Sequence, residues 1–236
     1  VTVVCIRLSA YQQRWLSRTI MTYREKAVKI ADTLKQYYED HEGWKVSKKT
    51  KDGVTIFYRS SREFDGYLYK GEAEINAPPK TVFHYVDPLP PEKGPRLKWD
   101  KSMTKVDILE WLQEPELRIN RCCTTSACMG LISPRDFVDL VYNIETSDHY
   151  ITNGVSITTD KCPEDKSHVR GWNHPCAIFC RKLPNEPNKT KVTSLIQPDI
   201  GGMLPRTLVD SAIPGSMVEF FTNLKKSLEE NGHMVN

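Results

Sequence analysis

Along residues 21–40 the apolar positions Ala27, Ile30, Ala31, Leu34, Tyr37 and Tyr38 recur at steps of three and four, with Arg24, Lys29, Asp32 and Lys35 between them. That spacing predicts an amphipathic helix. After Gly43 the period falls to two: Val54, Ile56 and Tyr58 alternate with Thr55, Phe57 and Arg59, behind an Asp52-Gly53 pair that signals a hairpin turn. In GYLYKGEAEIN one parity carries Tyr67, Tyr69, Gly71, Ala73 and Ile75, and the other Leu68, Lys70, Glu72 and Glu74. The first, inward set is partly small. Gly71 and Ala73 therefore mark space left for something else, a bulge, or the close approach of a helix. APPKTVFHYV reads as a short helix with proline in its first turn, and the proline-rich loop DPLPPEKGP follows it.

Further strands are expected near 105–112, 117–125, 136–144, 150–158, 167–173, 175–182 and 190–197, with turn residues at Glu114-Pro115, Asn153-Gly154 and 184–187. The last thirty residues return to helical spacing through Met217, Phe220, Phe221, Leu224 and Leu228, and Ser216 with Glu219 forms a capping box in front of that run. Helix, many strands, helix is an α+β order, with the C-terminal helix packing across one curved antiparallel sheet. Between Cys122 and Phe137 lies a stretch that fits neither pattern. Ala127, Cys128, Met129, Gly130, Leu131 and Ile132 are too few for a helix and too apolar for an ordinary surface loop.

The 236 residues, 39% apolar and 27% charged, suit one large domain or two small ones with a sizeable core. The longest apolar runs, such as Val3 to Ile6, fall far short of the roughly 20 residues a membrane span needs. Residues 1–20 have neither the basic start nor the apolar centre of a signal peptide, and are read as a disordered N-terminal extension to a domain at 21–232, with a tail at 233–236. Seven irregularly spaced cysteines read as reduced thiols in the cytosol. A formal charge of +3 is too mild to imply nucleic acid. Lys45, Lys48, Lys49 and Lys51, and the adjacent Lys225 and Lys226, form local basic clusters that suit a solvated face or an anionic surface.

His174, Cys176 and Cys180 hint at metal ligands, but on a strand the outer two lie about 20 Å apart, whereas tetrahedral zinc needs its ligand atoms within about 4 Å of one another. Cys122 and Cys123 point to opposite faces. No metal and no cofactor is expected. The chain contains no nucleophile elbow, phosphate loop or zinc-protease motif, so no catalytic residue is assigned. Arg135-Asp136 is read as a structural pair anchoring the loop before it.

KWD (98–100), ISPRDFVDLVY (132–142), VRGWNHPCAIFC (169–180) and LPRTLVDSAIPGSM (204–217) together resemble the StAR-related lipid-transfer (START) domain, nearest its small single-domain soluble sterol carriers. KVSKKTKDGVTIFYR and EFDGYLYKGEAEI extend the resemblance over residues 22–230. It implies a helix-grip fold, in which a curved antiparallel sheet, an N-terminal helix and a long C-terminal helix enclose a lipid tunnel. It further implies a non-enzymatic, monomeric cytoplasmic carrier that moves one sterol, cholesterol first, between membranes and touches anionic membranes transiently. The rivals are a bile acid, oxysterol or carotenoid binder, and a cavity enzyme such as a thioesterase.

In the family, the loop matching 126–132 closes the tunnel mouth with the C-terminal helix and meets the membrane. That assigns Cys128, Met129 and Leu131 to the lid, with Lys49, Lys51, Lys225 and Lys226 as the basic contact. The expected ligand-binding residues are Cys122, Thr124, Ser126, Val141, Asn153 and Ser156, together with Val209, Ile213, Met217 and Phe221 on the helix. In the steroidogenic branch an acid and an arginine face each other at the positions matching Cys122 and Val141, and here both are uncharged. The candidate partners for a sterol hydroxyl are then Asn153 and Ser156, ahead of Thr124 and Ser126. Strand alternation lets only one of Asn153 and Ser156 point inward unless a bulge intervenes. A phospholipid is disfavoured because the inward parity offers no evident basic residue for its phosphate.

Overall fold

The computed structural model describes the backbone of residues 10–235 and the side chains of residues 20–235. In chain order the elements are α1 (Ala10–Glu39), β1 (Lys45–Lys49), β2 (Thr55–Ser60), β3 (Tyr67–Ile75), α2 (Pro79–Val86), α3 (Arg96–Trp99), β4 (Met103–Gln113), β5 (Leu117–Thr124), β6 (Arg135–Glu145), β7 (His149–Ser156), β8 (Val169–Arg170), β9 (Trp172–Asn173), β10 (Cys176–Leu183), β11 (Glu186–Ile196), β12 (Pro198–Asp199) and α4 (Arg206–Glu230). Among the described residues the long strands form one antiparallel sheet in the order β1-β2-β3-β11-β10-β7-β6-β5-β4. Short β8 pairs parallel with the start of β6, and β9 pairs with β12. No helix of the described residues is long and apolar enough to cross a membrane.

Strand alternation sorts the sheet into two faces. On the outer face α1 lays Ala27, Ile30, Leu34 and Tyr37, its three-and-four stripe, over Leu117, Ile119, Leu140 and Val155 at one end and Leu68, Phe179 and Leu195 at the other. Leu34 is fully buried, a contribution of about 1.5–3 kcal/mol. On the inner face α2 and α4 pack on Tyr69, Ala73, Ile75 and Val192, so the two parities of β3 divide as their pattern predicts. The small inner residues of β3 are filled by close helix packing. A Cβ on Gly71 would fall within 3.0 Å of Phe221 and Met217, which leaves no room there for a ligand.

Three local expectations are corrected. Helix α1 begins at Ala10, not near Met21; of the expected extension 1–20, residues 1–9 lie outside the described residues. Helix α4 begins at Arg206, ten residues before the expected capping box, and runs through Pro214. Ser216 is therefore an interior residue whose hydroxyl donates back to Ala212 O at 3.4 Å. Proline disfavours that continuation locally, but Val209, Ala212 and Ile213 before it have an apolar cavity to cover, and packing overrides propensity. Finally, Asn153-Gly154 is no turn but sits inside β7. Gly154 is needed there for close approach, since a Cβ would lie 3.3 Å from Cys176 Sγ.

Candidate functional site

Between the inner face of the sheet and α4 lie two cavities that share the walls Thr124, Phe137, Asn173 and Ile196, and so form one tunnel. The outer compartment, about 270 Å³, runs from Ala127 and Ile132 of the β5–β6 loop to Val209, Ala212 and Ile213 of α4. The deep compartment, about 220 Å³, is walled by Cys122 and Val141, with Cys176, Ile178 and Leu195 across the sheet. Between them they reach the size of a small-molecule site, about 300–1,000 Å³. Beyond the deep end Arg118 pairs with Asp87, which also accepts from Asn143 Nδ2 at 2.8 Å. Past that pair a separate cavity of about 570 Å³ opens between α2 and the β4–β5 and β6–β7 turns. Its walls mix charged side chains, Lys80, Lys93 and Glu145 among them, with Phe83, Trp111 and Tyr150, and the Arg118–Asp87 pair separates it from the tunnel.

The β5–β6 loop closes on itself through paired backbone hydrogen bonds, Ala127 N–H to Ile132 O at 2.8 Å and Ile132 N–H to Ala127 O at 3.1 Å. Cys128, Met129 and Gly130 all have positive φ, which is strained for the first two. This tight turn sorts the loop: Ile132 is buried and faces the tunnel, whereas Met129 is fully exposed and Leu131 65% exposed. Arg135 fastens its base, donating to Ser133 O, to Ile200 O at 3.0 Å and to Gly201 O at 3.4 Å. The neighbouring loop before α4 carries Met203, equally exposed and not foreseen in the sequence. Asp136 binds Arg121 at 2.8 Å and Arg170 at 2.9 Å. Burial raises its carboxyl, and those two hydrogen bonds more than reverse this, holding it below the ordinary range. Arg135 and Asp136 thus each anchor the loop's base, through different partners.

The expected ligand residues divide. Cys122, Val141 and Thr124 line the tunnel, and Val209 and Ile213 cover its mouth. The Thr124 hydroxyl is engaged by Arg135 N–H at 3.1 Å. Ser126 faces a different cavity, outside the lid, beside Asp100 and Glu219. Met217 and Phe221 are core residues packed on β3 and lie in neither compartment. Asn153 borders the deep end, but its Nδ2 is given to Tyr142 O at 3.2 Å. Ser156 has the inward parity, yet its hydroxyl is also committed: it donates to Asp139 Oδ1 at 2.7 Å and accepts from Asn173 N–H at 2.7 Å.

Asp139 is, with Thr152 and Asn173, one of the polar residues of the deep compartment that were not expected from the sequence. It shares a parity with Phe137 and Val141, sits opposite Asn120 and Ser156 in the sheet, and lines the deep compartment while almost wholly buried. Burial pushes its carboxyl above the ordinary range against the hydrogen bonds of Ser156 and Asn173. Burial, with the Asp139 charge beside them, also raises the Cys122 and Cys176 thiols. An acid in phase with Phe137 and Val141 in DFVDLV was the signal that could have found it. The inward parity of β5 also holds a basic residue after all, fully buried Arg118, but Asp87 neutralises it. Arg96, on the rim of the deep end, is likewise held by Asp100 at 2.7 Å.

The basic residues come together around the β1–β2 turn. Lys225 donates to Asp52 O at 2.8 Å, joining the hairpin to α4, and Lys48 Nζ lies 3.4 Å from where a Gly215 Cβ would sit. Lys225 also pairs with Asp52 and Lys226 with Glu230, while Lys49 and Lys51 have no ion pair among the described residues. The described residues hold no cluster able to bind a metal ion. His174 stacks on Phe64 instead, with ring centroids 4.3 Å apart.

A family model described as START domain matches residues 25–233. The chain is 41% identical over 202 residues to StAR-related lipid transfer protein 5 of Bos taurus, covering 85% of this chain and 93% of that one. It is 40% identical over 205 residues to StAR-related lipid transfer protein 4 of Homo sapiens, covering 86% and 95%. The solved structure of human StAR-related lipid transfer protein 5 superposes with a TM-score of 0.84 at 36% identity, over 90% of this chain and 99% of that one.

Proposed function

The chain belongs to the START domain family, and on that premise we propose that it is a non-vesicular carrier that encloses one sterol, cholesterol first, and moves it between membranes. The observation that carries this reading is the two-sided lid. Its inner residues, Ala127 and Ile132, wall an apolar tunnel, and its outer residues, Met129 and Leu131, stand in solvent where only a membrane or another apolar surface would cover them. The relatives' names, as lipid transfer proteins, agree with it.

A sterol crossing water exposes its skeleton at about 0.8 kcal/mol per methylene-sized group, and enclosure removes most of that cost. The carrier is cytoplasmic and monomeric, docking briefly on anionic membranes through its lid, Met203 and the lysines of the β1–β2 turn. We read it as a carrier rather than an enzyme, in line with relatives named as lipid transfer proteins; the tunnel thiols of Cys122 and Cys176 are held protonated by burial, which makes them poor nucleophiles. The test is sterol transfer between donor and acceptor vesicles. Catalytic amounts of protein should accelerate it in proportion to protein concentration, and a rate no faster than spontaneous exchange would overturn the reading.

A further inference from the structure

We propose that Asp139 anchors the ligand's polar end, and that it selects an apolar molecule ending in a hydrogen-bond donor, an alcohol, over one ending in a carboxylate or ketone. This rests on the reading of the tunnel as the site of one apolar lipid. Asp139 lines the deep compartment on β6, and each of its oxygens takes one protein donor: Ser156 Oγ on Oδ1 at 2.7 Å and Asn173 Nδ2 on Oδ2 at 2.9 Å. A carboxylate has about four acceptor positions, so capacity is left over.

No cation fills it among the described residues. Arg170 is the charge that acts on Asp139 from β8, but its guanidinium is bound to Asp136. Arg96 on α3 is bound to Asp100, and Arg118 on β5 to Asp87. The remaining titratable neighbours, Cys122 on β5 and Cys176 on β10, are protonated thiols, and Cys176 Sγ is directed to Gly154 O at 3.3 Å. Of the polar residues that a sterol hydroxyl could otherwise meet, Ser156, Thr124 and the Asn153 Nδ2 are bound to protein partners, and the Thr152 hydroxyl on the same wall can donate to an alcohol and a ketone alike, so it gives no preference between them. In its ionised form Asp139 lacks a donor, and an alcohol supplies it; a proton on the raised carboxyl would remove the discrimination. A ketone brings only an acceptor against an acceptor, and a carboxylate brings a second acid into a desolvated wall, where like charges cannot both stay ionised.

The experiment measures displacement of an apolar fluorescent dye at neutral pH by two series of three ligands. One is a 3-hydroxysterol, its 3-ketone and a steroid carboxylic acid; the other is a long-chain alcohol, ketone and acid. In each skeleton that binds, the alcohol should bind about tenfold or more tightly than its ketone and acid, and Asp139→Asn, whose amide can donate, should remove most of that preference. Equal binding of alcohol, ketone and acid by the unaltered protein overturns the proposal, whether or not the variant folds. An unchanged preference in a variant that binds the dye normally does so too. Preference kept in the long-chain series with no sterol bound would overturn the sterol reading and leave the anchor standing. Binding of neither skeleton would overturn both.

Discussion

Gly71 and Phe221 meet so closely that a Cβ on Gly71 would lie 2.6 Å from Phe221 Cε2. The contact locks α4 to β3 at the closed end of the helix, leaving Val209, Ala212 and Ile213 at its other end over the tunnel mouth. Gly71→Ala is expected to cost about 1–3 kcal/mol from overpacking, and Phe221→Ala about 3–5 kcal/mol. The double variant should be less unstable than the sum, because each change relieves the other. Urea unfolding of all four proteins decides this, and strict additivity would contradict the contact.

Because Phe221 and Met217 are core residues, Phe221→Ala should lower stability with and without ligand but keep the increment that saturating sterol adds. Loss of that increment in thermal unfolding would return both residues to the tunnel wall.

The lid behaves oppositely. Met129→Asp with Leu131→Asp should slow vesicle-to-vesicle transfer severely while changing stability by no more than about 0.5 kcal/mol, since both side chains are exposed. Met203→Asp should act in the same direction. Unaltered transfer, or a large loss of stability, would contradict the lid's role at the membrane.

The lysines should not contribute equally. Among the described residues Lys49 and Lys51 lack ion pairs, and each is expected to add about 1 kcal/mol of binding to anionic vesicles. Lys225 and Lys226, held by Asp52 and Glu230, should add less. Vesicle sedimentation with alanine variants measures this. The effect should shrink as salt shortens the Debye length below about 8 Å. Equal losses for the two pairs, or indifference to salt, would contradict it.

Asp139 gives the ligand-free protein a pH signature. Its carboxyl is raised in the folded state, so well below the ordinary value of 3.8 the folded and unfolded states both hold the proton and nothing is lost. As pH rises from there through the folded value, the unfolded state releases its proton first, and this group's share of stability falls. The stability of Asp139→Asn relative to the unaltered protein should therefore move in the variant's favour as pH rises above that point. A difference independent of pH in urea unfolding would contradict the raised carboxyl.

Most of the scaffold was legible because single-strand alternation and helical spacing are local signals: the faces of β3, the short helix α2 and the stripe of α1 all follow from them. The apolar tip of the β5–β6 loop was legible because Met129 and Leu131 break the rule for exposed loops. What was not legible depended on distant partners. Ser216 looks like the cap that opens the last helix until the cavity beneath Val209 and Ile213 is known. Gly71 leaves tunnel space, a bulge and close helix packing equally open until Phe221 decides for the last. Ser156 looks like a ligand contact until Asp139, seventeen residues earlier in the chain, claims its hydroxyl.

The central claim, one intact apolar lipid held in one tunnel, is tested most directly by native mass spectrometry of the protein after incubation with vesicles of mixed phospholipid and sterol. The expected spectrum shows a single adduct with the mass of one unmodified sterol, absent when the vesicles contain no sterol. A phospholipid adduct, several sterols per chain, or a chemically altered sterol would contradict the account.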